Sequence, residues 1–389
     1  MTLHPMQRAL LLLTLVLAPA CREGSENSNA QAAFLPIPTA SGDGSSCRGV
    51  GLTPSATPTA LSLASTSIGP SSQLTAESGS QLLFVTGGDG SVVQIDVSGG
   101  SPVETTLVAP GVIDALLASP LIGISTPAEL AGVCVIDSAR LGVLEATSNT
   151  VLQISRLVPD TVSLLAGFPD EIPGFADGPR LIARFSLTGG SRLVATGENT
   201  LLVADSGNHR VRRVELTNQG FVSSLAGLGS PTYLDGALPA SGFDTPSGIA
   251  LACSGEILVV ESGAAGQGGH RLREISVGGE SFFGLLGSVA TLAGDGLDMT
   301  VGGPMASLAG PTGLLSTSDG EVYFVDGSTG FLRRHVLATG ETDCPGFADC
   351  ATATAGPAPF TGANASVALD DVSGLLYVLD PSAGTISSL

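Results

Sequence analysis

From about Thr59 onward, short apolar runs rich in β-branched residues alternate with clusters of Gly, Ser, Asp and Pro. Runs of this length between turn residues predict many short strands. One element recurs: two or three apolar residues, an acid, then Ser-Gly or a variant of it. It is clearest as LLVADSGNHRVRRV at Leu201. It returns as ILVVESGAAGQGGHRLREI at Ile257, VYFVDGSTGFLRRHV at Val322 and LYVLDPSAGTISSL at Leu376, with weaker copies VCVIDSARLGVLEA at Val133 and LFVTGGDGSVVQIDV at Leu83. Aligned on the acid, the copies place Thr86, Asp137, Asp205, Glu261, Asp326 and Asp380 in register, at spacings of 51, 68, 56, 65 and 54 by subtraction.

Other landmarks keep phase with the hairpin. SLLAG at Ser163, SLAG at Ser224 and TLAG at Thr291 open units; GFADG at Gly174, YLDG at Tyr233 and GFAD at Gly346 follow; TPSGIAL at Thr245 and GPTGLL at Gly310 precede the hairpin. In this ordered set the chain resembles the NHL-repeat family, most closely at Leu201 to Val214 with Asn208, His209 and Arg210. The resemblance is firm from Ser163 to about Val336; before Ser163 it rests on hairpin spacing. It implies an all-β fold, a six-bladed β-propeller of four-stranded antiparallel blades. The last hairpin is followed by no outermost strand, so the sequence predicts a ring closed by an N-terminal strand, TALSLAS at Thr59 to Ser65. An open blade would otherwise expose an unpaired edge.

Composition and charge narrow the function classes. Hydrophobic residues make up 43% of the 389 residues, charged residues only 13%, and Gly numbers 53, which suits a β fold with little helix. Lysine is absent and the formal charge is -20, which argues against a nucleic-acid partner and rules out a Gly-Lys phosphate loop. The stretch LVAPGVIDALLASPLIGIS is apolar but broken by Pro110, Asp114 and Pro120, so it does not read as a membrane span.

The N-terminus has Arg8, an apolar run from Ala9 to Leu17, and Ala-Pro-Ala before Cys21. Residues 1–20 read as a signal peptide. The stretch resembles a bacterial lipoprotein signal in which Cys21 would be acylated, although Ala18 stands where such signals carry Leu. Residues 21–58, rich in Ser, Gly and Pro, are expected to be a flexible linker, and residues 59–389 the propeller. Exported to the bacterial envelope, the chain would meet a disulfide-permissive compartment. Cys344 and Cys350 are a candidate disulfide, Cys134 and Cys253 are expected as buried small hydrophobes, and Cys47 has no evident partner.

Candidate chemistry is sparse. Asp205, Gly207, Asn208, His209 and Arg210 are expected to be structural hairpin residues, the acid accepting N–H groups of the following turn and the glycine supplying a positive φ. His209 and His270 are register-equivalent and so lie on different blades, and with His335 they do not make a three-histidine zinc site. Arg210 and Arg212 share a strand face, Arg213 the other, and nearby acids such as Glu215 are their expected partners. The expectation is a non-enzymatic, monomeric binding or scaffolding module without a cofactor, holding a protein, peptide or glycan through its loop faces and the membrane through its lipid only. Six-bladed relatives of the family include metal-dependent lactonases and lyases. A channel Ca or Zn site of that kind is the alternative, although TPSGIALA and GPTGLLS offer the channel no His and no carboxylate.

Overall fold

The computed structural model describes residues 58–389 except 65, 198, 218, 264–268, 282–283, 297–307, 346–359 and 361–363. The strands form six antiparallel sheets arranged as the blades of a propeller. From the axis outward, blade 1 holds Leu74–Ala76, Leu82–Thr86, Val92–Asp96 and Val103–Val108; blade 2 holds Leu130–Asp137, Arg140–Glu145, Thr150–Ser155 and Val162–Ala166. Blade 3 runs Arg192–Ala195, Thr200–Asp205, Arg210–Glu215 and Phe221–Ala226, and blade 4 runs Pro246–Leu251, Ile257–Glu261, Arg271–Ser281 and Gly284–Ala293. Blade 5 is Pro311–Ser316, Glu321–Asp326, Phe331–Val336 and Glu341–Asp343, and blade 6 is Ser366–Asp370, Leu375–Asp380 and Thr385–Ser388 completed by Thr59–Ala60.

The blades stack face to face because their middle strands are apolar on both sides. In blade 3, Leu201 and Val203 join the core shared with blade 2, while Leu202 and Ala204 join the core shared with blade 4. Strand alternation thus delivers one apolar set to each neighbour. Six such clusters fill the six interfaces, the last uniting Leu83 and Val85 of blade 1 with Tyr377 and Leu379 of blade 6. Ring closure comes from the N-terminal segment as expected: Thr59 pairs with Ser388 and Ala60 with Ser387, and Leu61 N–H donates to Ile386 O at 2.8 Å.

Blades 3 and 4 carry a short fifth strand outside the expected four. Gly178–Pro179 pairs with Phe221–Ala226, and Gly236–Ala237 with Gly284–Ala293, and each follows a GFADG or YLDG landmark. The LAG segments that open the sequence repeat are the outermost strands of the preceding blade, so sequence copies and blades are out of phase by one strand. The single α-helix among the described residues, Val112–Leu117, starts at Gly111 inside the apolar stretch broken by prolines, and buries Ile113 and Leu117 between blades 1 and 2. No described helix is long and apolar enough to cross a membrane.

One register assignment is corrected. Asp137 ends the innermost strand of blade 2, and the residue closing its second strand, where the other blades carry Thr86, Asp205, Glu261, Asp326 and Asp380, is the fully buried Glu145. Leu130–Asp137 and Arg140–Glu145 are both apolar runs ending in an acid, so the first stood in for the second. With Glu145 the spacings become 59, 60, 56, 65 and 54 by subtraction, a more even repeat.

Because the closing strand supplies the outer edge of blade 6, removing residues 1–70 is expected to abolish the cooperative thermal transition and drive the protein into aggregates. Circular dichroism and size-exclusion chromatography read this out; a monomer with the full-length melting temperature contradicts it.

Candidate functional site

The hairpin of blade 3 is a structural corner. Asp205, fully buried, accepts the Ser186 N–H at 2.8 Å, Asn208 Nδ2 at 2.8 Å and Arg212 Nη1 at 2.8 Å. Burial pushes its carboxyl up, opposed by Arg212, Asn208 and the Ser186 N–H. Contrary to expectation, its backbone donor comes from ahead of the innermost strand instead of from the following turn. Glu261 and Asp326 repeat this by accepting Asp244 N–H at 2.9 Å and Ala309 N–H at 2.5 Å, whereas Asp380 does accept Ser382 and Ala383 N–H from its turn. Each corner acid of the first kind ties the second strand to the entry of the first, so it fixes the blade's inner edge.

The arginines complete these corners. Arg212 lies between Asp205 and Asp177, each at 2.8 Å, and stacks on Phe175 and Phe185; Arg273 lies between Glu261 at 3.0 Å and Asp235 at 2.7 Å, over Tyr233 and Phe243. The landmarks GFADG and YLDG therefore exist to carry an aromatic and an acid to a buried guanidinium. Burial pushes Glu261 up to about 7 against the pull of Arg273. Arg213, on the opposite face, lies 3.6 Å from Glu215.

The remaining hairpin residues serve the same frame. Gly207 does not have a positive φ; a Cβ there would lie 2.8 Å from Ser186 O, so close approach is what requires glycine. The left-handed residue is His209, with φ 51°. Asn208 Nδ2 also donates to Gly174 O at 2.8 Å, and Arg210 donates to Gly227 O and Leu228 O while lying 4.3 Å over Phe175. His209 Nδ1 accepts Thr245 N–H at 3.1 Å, and His270 Nδ1 accepts Gly310 N–H at 2.6 Å, each reaching the residue before the next blade's innermost strand. An accepting nitrogen carries no proton, so both imidazoles bond as neutral rings joining one blade to the next. Burial lowers the His209 pKa, with Asp244 and Asp205 pulling the other way. His335 Nδ1 lies 2.9 Å from Thr342 Oγ1 within blade 5, and burial pushes its pKa down to about 4.

Cys134 is a buried free thiol pushed up to about 12 by burial. Cys253, expected as a buried hydrophobe, is half-buried in a turn after the innermost strand of blade 4 and is disulfide-bonded; the buried Cys344 is disulfide-bonded as well. Cys21, Cys47 and Cys350 lie outside the described residues.

Among the described residues the central channel forms a concave surface, a cavity of about 420 Å³ lined from all six innermost strands. Ile249 to Leu251 and Gly313 to Ser316 contribute the small and apolar walls expected of TPSGIALA and GPTGLLS. Two charged residues there escaped notice in the sequence: Arg192, buried toward the end where the innermost strands begin, and Asp371, just beyond the other end, held by Ser78 Oγ at 2.6 Å and Gly79 N–H at 2.8 Å. Among the described residues no three His, Cys, Asp or Glu side chains cluster as metal ligands. A signal for Arg192 was available, since it occupies the register position of Gly248 in the next blade.

Asp205→Ala leaves Arg212 buried with only the half-exposed Asp177, and is expected to cost about 3–5 kcal/mol, against at most about 1 kcal/mol for Asp177→Ala. Urea unfolding of both variants checks the contrast, which equal losses contradict. His335 has a folded pKa below its free value, so the unfolded chain takes up the proton first as pH falls from 6.5 towards 4. Its contribution is complete above pH 6.5 and declines below it by roughly 3 kcal/mol. The drop in melting temperature between pH 7 and pH 4.5 should be smaller in His335→Gln than in the parent protein.

No protein-family model and no curated protein matches the chain. Among solved structures it is similar to a structural-genomics protein of unknown function from Bacteroides thetaiotaomicron, at 15% identity and a TM-score of 0.46, covering 67% of this chain and 55% of that one. It is also similar to an auxiliary nutrient-binding protein from the same organism, at 13% identity and a TM-score of 0.50, covering 79% and 65%. The chain thus spans less than two thirds of the length of each. Virginiamycin B lyase from Staphylococcus aureus, solved with quinupristin, is similar at 14% identity and a TM-score of 0.48, over 85% of this chain and 98% of the lyase. Identities this low speak to architecture alone: the chain has the fold of a six-bladed β-propeller.

Proposed function

We propose that the chain is an NHL-type propeller serving as a non-enzymatic binding module of the bacterial envelope, lipid-anchored through Cys21, with residues 21–58 as a tether. The observation that carries this reading is how the reactive side chains are used. His209, His270, Asp205 and Glu261 are each bonded into a corner or a blade-to-blade link, so they serve the frame, while the channel presents a concave surface. Such a frame suits presentation of loops to a protein, peptide or glycan. The insertions after Glu261 and after Cys344, which fall largely outside the described residues, are where specificity is assigned. The chain acts as a monomer, because its own N-terminal strand completes the sixth blade, the place that a strand of another copy could otherwise fill.

Elemental analysis of the purified protein tests the non-enzymatic reading: calcium and zinc well below one equivalent are expected, and a stoichiometric, tightly held metal overturns it in favour of a metal-dependent lactonase or lyase. Cys21→Ser is expected to move the protein from the membrane to the soluble fraction of fractionated cells; unchanged membrane recovery contradicts the anchor.

A further inference from the structure

Arg192 differs from the corner arginines in what holds it. Arg212, Arg273 and Arg333 each lie near a buried carboxylate, at 2.8, 3.0 and 3.7 Å. Among the described residues Arg192, only 7% exposed, has carbonyl oxygens alone as partners. Nη1 donates to Ala131 O at 3.0 Å, Gly189 O at 2.9 Å and Ser191 O at 2.9 Å. Nη2 donates to Asn364 O at 3.2 Å, and Nε is buried with no hydrogen bond. Asn364 leads into blade 6, which faces blade 3 across a ring of six, so this hydrogen bond links opposite blades at the end of the channel where the innermost strands begin. The same Asn364 O takes Gln73 Nε2 of blade 1 at 3.1 Å.

The level of the ring at which Arg192 sits carries no second charge. Its register equivalents, each paired one residue before the corner position, are Leu74, Gly132, Gly248, Thr312 and Ser366. A cation taken from water and met only by dipoles is costly, and it is stabilised when an anion reaches it. Burial accordingly lowers its pKa to about 9. The Nε–Nη2 edge of a guanidinium matches a carboxylate bidentately. Here that edge has one bond to a neutral carbonyl and one unspent N–H.

The channel wall carries apolar side chains, among them Leu193, Val194, Ile249, Leu251, Leu314 and Val367, interspersed with hydroxyls such as Thr75, Ser316 and Ser366. Toward the far end stands Asp371, which disfavours a second negative group. A chamber of about 420 Å³ with a mixed apolar and hydroxyl lining, one cation at one end and a carboxylate at the other, favours a monoanion with a partly apolar body over a phosphate or a dicarboxylate. We infer that the central channel is a binding site for an organic monocarboxylate with an apolar body, its carboxylate replacing the Asn364 carbonyl on the Nε–Nη2 edge of Arg192. This site is independent of the loop faces, so loss of a loop-bound partner leaves it intact.

Calorimetric titration of the full chain with hexanoate, octanoate and decanoate, each against the alcohol of the same length, tests the assignment. Saturable binding of at least one acid to a single site is expected, at least tenfold tighter than its alcohol. Arg192→Met should weaken the acid at least tenfold and leave the alcohol unchanged. Ala250→Leu, which narrows the channel without touching the guanidinium, should weaken both. Absence of saturable binding across the acids, equal affinity for acid and alcohol, or full acid affinity in both variants overturns the site. If Arg192→Met does not fold, the acid–alcohol comparison and Ala250→Leu decide.

Discussion

Every blade of this protein is apolar on both faces, and that single constraint organises the rest. A blade whose middle strand, such as Thr200–Asp205, is buried along its whole length is stable only with a neighbour on each side. A linear stack would leave two such faces in water, and a ring leaves none. The six interfacial clusters are therefore equivalent solutions to one problem, and the pairing of Thr59–Ala60 with Thr385–Ser388 is what allows the sixth to form.

Within each blade the energetic risk is the buried charge. Arg212 and Arg273 are taken wholly out of water, which is tolerable because each has two carboxylates and two aromatic faces. One carboxylate of each pair is fully buried and the other is partly exposed, so the corner is anchored on the inside and solvated on the outside. The histidines extend this frame tangentially. Nothing in the geometry of His209 or His270 sets either apart for proton transfer, since the nitrogen that would accept a proton already holds a backbone N–H of the next blade.

The fold was readable because its period was carried by residues with strong local meaning: an acid at a strand end, a LAG strand, a GFADG or YLDG turn. Where those residues weaken, the reading slipped. Asp137 looked like the corner of blade 2 because it follows an apolar run and precedes Ser, yet the register of the sheet gives that place to Glu145. Gly207 was credited with a backbone conformation that belongs to His209, because a glycine in a turn suggests φ before it suggests crowding. Arg192 was missed for a different reason. It sits outside the recurrent hairpin, and only the closed ring brings its guanidinium towards Asn364, 172 residues away in the chain.

The closing strand has a mechanical consequence. Thr59–Ala60 lies at the outer edge of blade 6, hydrogen-bonded to the last strand of the chain, so it is both the latch of the ring and the point at which everything N-terminal to it joins the folded body. Tension on that segment is delivered first to a two-residue pairing and the Leu61 contact, at the rim, before any interface between blades bears load. A short hydrogen-bonded edge of the propeller is thus also the place where any pull from the N-terminal segment arrives.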